Sequence, residues 1–277
     1  MAVTMADISH LRKMSGAGMM DCKNALQEAD NDFDKAMEII RKKGQAVAAK
    51  RSDREASEGC VLAGTNGEFA AIVALKCETD FVAKGEQFIA LTREILDVAL
   101  IERPATIEEL KATPLPDGRT VQDHVTDRIG VTGEKMEVGY YEFLATPATV
   151  QYIHPGNKLA TIVGFNLPQN YVDNQVARDV AMQVAAMNPV AVRPEEVPQK
   201  AIDTELEIAR DKAREQGKPE NLIDRIAEGA LTKFYKDSTL LNQEFVKDPK
   251  LTIDQYLRKQ DPELTVIGFK RVTLNME

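Results

Sequence analysis

Residues able to do chemistry are few in this chain and stand apart. Its three histidines, His10, His124 and His154, each lack a sequence neighbour that would complete a metal pair. The three cysteines, Cys22, Cys60 and Cys77, contain no CxxC pair. A sparse, odd count reads as reduced thiols of a cytosolic protein, not as a disulfide framework. Gly16-Ala17-Gly18 imitates part of a dinucleotide fingerprint, but it lacks the third glycine and follows a helical pattern instead of a strand. It reads as a helix–helix turn. No P-loop, HExxH or GxSxG sequence occurs. The chain offers no constellation for covalent catalysis and none for a cofactor or metal.

Two short segments carry residues suited to contact. Met19 and Met20 follow the glycine turn directly. Methionine most often fills gaps in a core, but two consecutive residues cannot both face into a three-helix core, so at least one is expected on the surface. The second segment is Cys77-Glu78-Thr79-Asp80-Phe81-Val82-Ala83-Lys84, at a strand-to-helix junction. On composition it reads first as a cap, with Thr79 or Asp80 opening a helix and Phe81 as its first buried residue. The alternative is a functional turn with Phe81 held outward on a stiff mount.

The elements around these segments follow from periodicity. Ile8, Leu11 and Met14 lie at helical spacing; Cys22, Ala25, Leu26 and Ala29 form a second stripe; Phe33, Ala36, Met37 and Ile40 form a third after Asp30-Asn31-Asp32, with Gly44 expected to end it. Three short amphipathic helices make a small bundle, followed by a helical or flexible linker over 46–58. Beyond Gly59 the period shortens to that of strands. Residues 60–63 and 69–75 flank a Gly64-Thr65-Asn66-Gly67 turn, and a helix follows with Phe88, Leu91, Ile95 and Leu96 on one face. The pattern recurs about 90 residues later: strands 149–153 and 159–165 flank His154-Pro155-Gly156-Asn157, before a helix bearing Val176, Val180, Val184 and Met187. This predicts two related α+β subdomains with small antiparallel sheets. Ile202, Leu206, Ala209 and Ala213, answered across Gly217-Lys218-Pro219 by Leu222, Ile226 and Ala230, predict a projecting antiparallel helical hairpin. Thr265 to Leu274 reads as a last strand.

Charge and composition narrow the function. With 35 Lys plus Arg against 44 Asp plus Glu, the net charge is −9, which argues against a protein living on phosphate backbones. The first residues, interrupted by Asp7 and His10, do not read as a secretory signal. No apolar run approaches the ~18 residues of a membrane span. A soluble, cytoplasmic α+β protein is expected, with no nucleic-acid or membrane partner.

Two longer segments resemble the bacterial elongation factor Ts family: Leu11-Arg12-Lys13-Met14-Ser15-Gly16-Ala17-Gly18-Met19-Met20-Asp21-Cys22-Lys23-Asn24-Ala25-Leu26 and Glu78-Thr79-Asp80-Phe81-Val82-Ala83-Lys84. Val184-Ala185-Ala186-Met187-Asn188-Pro189 and the Gly217-Lys218-Pro219 turn fall in the family's order. The resemblance implies a guanine-nucleotide exchange factor that acts on the GDP- and Mg²⁺-bound translational GTPase elongation factor Tu and performs no covalent chemistry. It implies a ubiquitin-associated-like three-helix domain with linker over 1–54, core subdomains over 55–146 and over 147–196 with 237–277, and a coiled-coil hairpin over 197–236. It assigns displacement of the GTPase's magnesium to Thr79, Asp80, Phe81 and Val82, and a grip on its nucleotide-binding domain to Met19, Met20 and Lys23. A homodimer through the hairpin is a further expectation. The chain departs from the family at Gln183, where many members have histidine, and at Asn157-Lys158-Leu159-Ala160 in place of a Gly-Arg-Ile-Gly loop. It ends at Glu277, where some members continue into a helix. A free-standing peptide- or ubiquitin-type binding module is the alternative that the three-helix head would allow.

Overall fold

The computed structural model describes residues 3–275; Met1, Ala2, Met276 and Glu277, the outermost positions of the first and last predicted segments, lie outside the described residues. The described chain divides into two compact units. One comprises the chain up to Leu62, Ile72–Tyr141 and the residues from Thr273 onward; the other comprises Ala63–Ala71 and Glu142–Val272.

Local signals start and stop the first three helices. The Thr4 side chain accepts from the Asp7 N–H while the Asp7 carboxylate accepts from the Thr4 N–H, a reciprocal cap that opens α1 (Met5–Ser15). Gly16, at φ +69°, closes it in the left-handed region that glycine enters without strain. Next come α2 (Met19–Glu28) and α3 (Phe33–Arg51), the latter opened by the Asp32 carboxylate on the Lys35 N–H. Ile8, Leu11, Cys22, Ala25, Leu26 and Ala36 share one buried cluster. The spacing had placed the end of the third helix at Gly44, but α3 continues to Arg51, so part of the predicted linker is helix.

The strands begin with β1 (Glu58–Thr65) and β2 (Phe69–Cys77). Four helices follow: α4 (Asp80–Ala83), α5 (Glu86–Glu102), α6 (Ile107–Ala112) and α7 (Val121–Thr132); β3 (Met136–Ala145) then completes a sheet of order β1-β2-β3. Gly44 finds its explanation here. A Cβ on Gly130 of α7 would lie 2.7 Å from the Gly44 Cα, so the missing side chains let α3 and α7 cross at backbone distance. A glycine inside a helix costs about 1 kcal/mol relative to alanine, and close packing of the two helices offsets that cost.

In the second unit β4 (Ala148–Ile153) pairs antiparallel with β5 (Leu159–Phe165), Val150 opposite Val163. There follow α8 (Asn174–Met187), α9 (Gln199–Glu215), α10 (Glu220–Ser238), the short β6 (Glu244–Phe245) and β7 (Asp248–Thr252), α11 (Ile253–Gln260) and β8 (Val266–Thr273). The second sheet has order β4-β5-β8. Each three-stranded sheet thus has a hairpin, a helix after its central strand, and a later strand that returns to pair with that central strand. The central strands β2 and β5 are buried almost throughout, which explains why both read as continuous apolar runs without alternation. The helices α9 and α10 pair as an antiparallel hairpin around Gly217, at φ +68°. Its buried residues are Ala209, Ala213, Ile223 and Ala227; Leu222 and Ile226, expected inside, are exposed, one position out of phase with the true stripe.

Candidate functional site

The turn after β2 is built by hydrogen bonds that converge on two residues. Cys77 is buried and its Sγ donates to the Thr79 carbonyl at 3.2 Å. The Glu78 carboxylate accepts from the Lys135 N–H at 2.7 Å and from Arg51 Nη1 at 3.2 and 3.3 Å. The Lys135 hydrogen bond, working against burial and together with the Arg51 and Arg54 charges, holds the Glu78 carboxyl below the usual carboxylate range. Thr79 is the cap of α4: its Oγ1 accepts from the Val82 N–H at 3.4 Å. A second carboxylate holds it from outside, for the Thr79 hydroxyl donates to Glu134 Oε1 at 2.6 Å and the Thr79 N–H donates to Glu134 Oε2 at 3.0 Å.

The single turn of α4 sets the side chains apart. Ala83 is buried and Val82 half-buried. Asp80 accepts from Lys84 Nζ at 2.6 Å, and this contact raises the Lys84 ammonium above its ordinary pKa. Phe81 is 85% exposed. The capping half of the sequence expectation therefore describes Thr79 correctly, while Phe81 is not the first buried residue of the helix. An open depression beside it is lined by Val82, Gly85, Phe88, Arg128 and Thr132. A large aromatic outside any core, on a turn tied down at its first residue, is suited to burial in another surface.

The second group of expected contact residues stands on another helix. Met19 and Met20, 43% and 64% exposed, open α2 after Gly18, and Lys23 is exposed one turn on. Cys22, between them, is buried in the three-helix core, where it contacts the Ala17 carbonyl and the Ser15 hydroxyl at 3.7 Å. The segment thus sends Cys22 inward and both methionines outward.

The histidines stay apart. His10 packs edge-on against Phe33, His124 meets Asp117 at 3.0 Å, and His154 meets the Tyr152 hydroxyl at 3.0 Å. Among the described residues no group of three or more His, Cys, Asp or Glu is placed to hold a metal ion. No helix among them is long and apolar enough to cross a membrane. Gln183 is fully buried; its amide donates to Gln243 at 3.2 Å and to the Glu244 carbonyl at 3.1 Å, and its oxygen accepts from the Val246 N–H at 3.0 Å. Here the side chain binds the start of β6 to α8. In the 157–160 stretch, Asn157 closes the turn at φ +55° and Ala160 pairs with Ile153.

Glu134, Lys135 and Arg51 escaped the sequence reading. Glu134 lies 55 residues from Thr79 in the α7–β3 connection, and nothing in its own neighbourhood marks it.

Fold and surface define an α+β protein with a three-helix head, two three-stranded sheets and a helical hairpin. The family model described as Elongation factor TS matches residues 78–276. Elongation factor Ts of Porphyromonas gingivalis is 68% identical over 277 residues, the full length of both chains. That of Azobacteroides pseudotrichonymphae is 60% identical, and that of Phocaeicola vulgatus 48%, each likewise over the whole of both chains. The chain belongs to the elongation factor Ts family, a family of translation elongation factors.

Proposed function

We propose that this protein is a guanine-nucleotide exchange factor for elongation factor Tu, binding its GDP- and Mg²⁺-loaded form and releasing GDP through loss of the metal contact. The observation that carries the mechanism is Phe81, 85% exposed on a turn whose first residue is fixed by a cap and a carboxylate.

A translational GTPase holds GDP through a phosphate-cradling loop and a Mg²⁺ that neutralises phosphate charge. Phe81 enters an apolar pocket beside that centre, and its buried area stabilises the opened state. Asp80 brings a carboxylate toward groups that hold metal and phosphate, an arrangement whose repulsion is relieved when the ion leaves. Thr79 and Val82 set the turn. Met19, Met20 and Lys23 grip the nucleotide-binding domain and hold the factor in place. The protein changes an affinity and makes no covalent bond. By linkage, a factor that weakens GDP binding must itself bind the loaded GTPase less well, so incoming GTP expels it.

The contact between Gly44 and Gly130 speaks against a free-standing peptide-binding head, because α3 is packed on α7 at backbone distance. Release of a fluorescent GDP analogue from purified elongation factor Tu tests the proposal: catalytic amounts of this chain should accelerate release many-fold, and an unchanged rate would refute it.

A further inference from the structure

We infer that Glu134 is a positioning residue that aims Phe81, an inference that rests on the exchange reading above. A four-residue helix cannot hold itself, since nucleation is unfavourable at such length. Its direction must be imposed from outside, and one carboxylate does so by taking both donors of Thr79, the hydroxyl at 2.6 Å and the N–H at 3.0 Å. Bonds to an ionised acceptor are the stronger kind and fix geometry as well as distance.

The anchor is itself rigid. Gly133, at φ +72°, stops α7, and the Glu134 N–H donates to the Thr132 hydroxyl at 3.2 Å. The next residue returns the bond, for the Lys135 N–H donates to Glu78 at 2.7 Å. Residues 78–79 and 134–135 therefore exchange carboxylate clamps. Lys135 Nζ also donates to the carbonyls of Ser52 at 3.0 Å and Arg54 at 2.8 Å, and Arg51 binds Glu78. The end of α3 is thereby tied to the same node, so the helical head and the Phe81 turn share one mount. Without Glu134 the Thr79 donors return to water, and the side-chain hold on Thr79 is reduced to the long 3.4 Å cap bond from Val82, with its carbonyl still accepting from Cys77 Sγ and the Ala83 N–H.

The experiment uses the full chain as Glu134→Ala, Glu134→Gln, Phe81→Ala and the Glu134→Ala/Phe81→Ala double variant. It measures GDP release from elongation factor Tu across factor concentrations, with amide hydrogen exchange at Thr79 and Lys135 on the free factor. Glu134→Ala should lower the saturating release rate roughly tenfold, with little change in the concentration giving half the effect. It should expose the Thr79 amide while Lys135, held by Glu78, stays protected. Glu134→Gln keeps one acceptor oxygen but turns its NH2 toward the other Thr79 donor, so it should fall between Glu134→Ala and the parent in both readouts, and Glu134→Ala should add little to Phe81→Ala. If Glu134→Ala melts early, Glu134→Asp, which withdraws the carboxylate by one methylene and leaves the Thr79 cap on Val82 in place, must slow saturating release in the same way. A wild-type rate for Glu134→Ala beside a slow Phe81→Ala overturns the positioning role and leaves the exchange mechanism standing, as does a full additional loss in the double variant. A wild-type rate for Phe81→Ala overturns the mechanism, and the positioning role with it.

Discussion

Gly44 of α3 and Gly130 of α7 approach so closely that a Cβ on Gly130 would lie 2.7 Å from the Gly44 Cα, whereas a Cβ on Gly44 would find its nearest neighbour, the Thr126 carbonyl, at 3.4 Å. The asymmetry makes a ranking. Gly130→Ala drives a methyl into backbone that cannot swing aside, so overpacking of about 1–3 kcal/mol outweighs the gain in helix propensity. Gly44→Ala should stay within about 1 kcal/mol of the parent, the propensity gain offsetting a tight contact. Urea denaturation of the two variants checks this, and the reverse order would show that the crossing is looser than described.

The exposed pair Met19 and Met20 should tolerate removal. Met19→Ala with Met20→Ala leaves the three-helix core of Ile8, Leu11, Cys22 and Leu26 intact, so the melting temperature should hold within a few degrees. Burial of a methionine at an interface contributes roughly 1.5–3 kcal/mol, so affinity for elongation factor Tu should fall at least about tenfold. Calorimetric titration measures it. A collapsed helical head in the double variant would place these side chains in the core instead.

Asp179 governs an acid limb of stability in the second unit. It is only 5% exposed and accepts from Lys247 Nζ at 2.7 Å, Gln175 Nε2 at 2.7 Å and the Tyr256 hydroxyl at 2.9 Å. Burial pushes its pKa up, but the hydrogen bonds from Lys247, Tyr256 and Gln175 outweigh burial and hold the carboxyl below its ordinary value. A lowered folded-state pKa gives stability that is fully present above the unfolded value of about 3.9 and lost as pH falls through the folded value. Asp179→Asn should cost about 1–3 kcal/mol at pH 7 and flatten the acid limb below pH ~4. Burial, then the hydrogen bond to Asp179 and its charge, push Tyr256 up to about 12, so its contribution is present below about pH 10 and fades as pH rises toward 12. Chemical denaturation at stepped pH follows both limbs, and an Asp179→Asn acid limb equal to the parent's would remove Asp179 from the account.

The helical hairpin should be dispensable to the fold. Its buried residues, Ala209, Ala213, Ile223 and Ala227, lie outside the cluster of Phe165, Val180, Leu240 and Val266. Replacing 200–234 by a short Gly/Ser link should leave a folded protein with at least partial exchange activity. Sedimentation at stepped concentrations should show self-association lost with the hairpin, whose Leu222 and Ile226 are exposed. A protein that no longer folds would show the hairpin to be part of the main apolar body.

Much of the fold was legible because burial on one face leaves a period. The three helices of the head, both hairpins and the helices after them lie where the apolar spacing placed them. The failures have physical causes. Gly44 carries the composition of a stop, and only the close approach of Gly130, 86 positions away, makes it a crossing point. Leu222/Ile226 and Ile223/Ala227 are equally spaced stripes on one helix, and the choice between them belongs to the partner helix. α7 did carry a legible signal, since Val121, Val125 and Ile129 recur at every fourth position behind the reciprocal cap of Thr120 and Asp123, but the stripe is only three residues long. At the site, local chemistry offered Thr79 or Asp80 as the cap and the structure takes Thr79, whereas the exposure of Phe81 depends on Ala83, not Phe81, facing inward. Glu134 left no local signal at all.

The most direct measurement is stimulated release of a fluorescent GDP analogue from elongation factor Tu by Phe81→Ala and by the parent, at millimolar Mg²⁺ and again in EDTA. If Phe81 acts by unseating the metal, its loss slows release in Mg²⁺ at least about tenfold, the worth of one buried aromatic withheld from the opened state. In EDTA, with the metal already gone, the two proteins should differ far less. Equal rates for Phe81→Ala and the parent at millimolar Mg²⁺ would contradict the account.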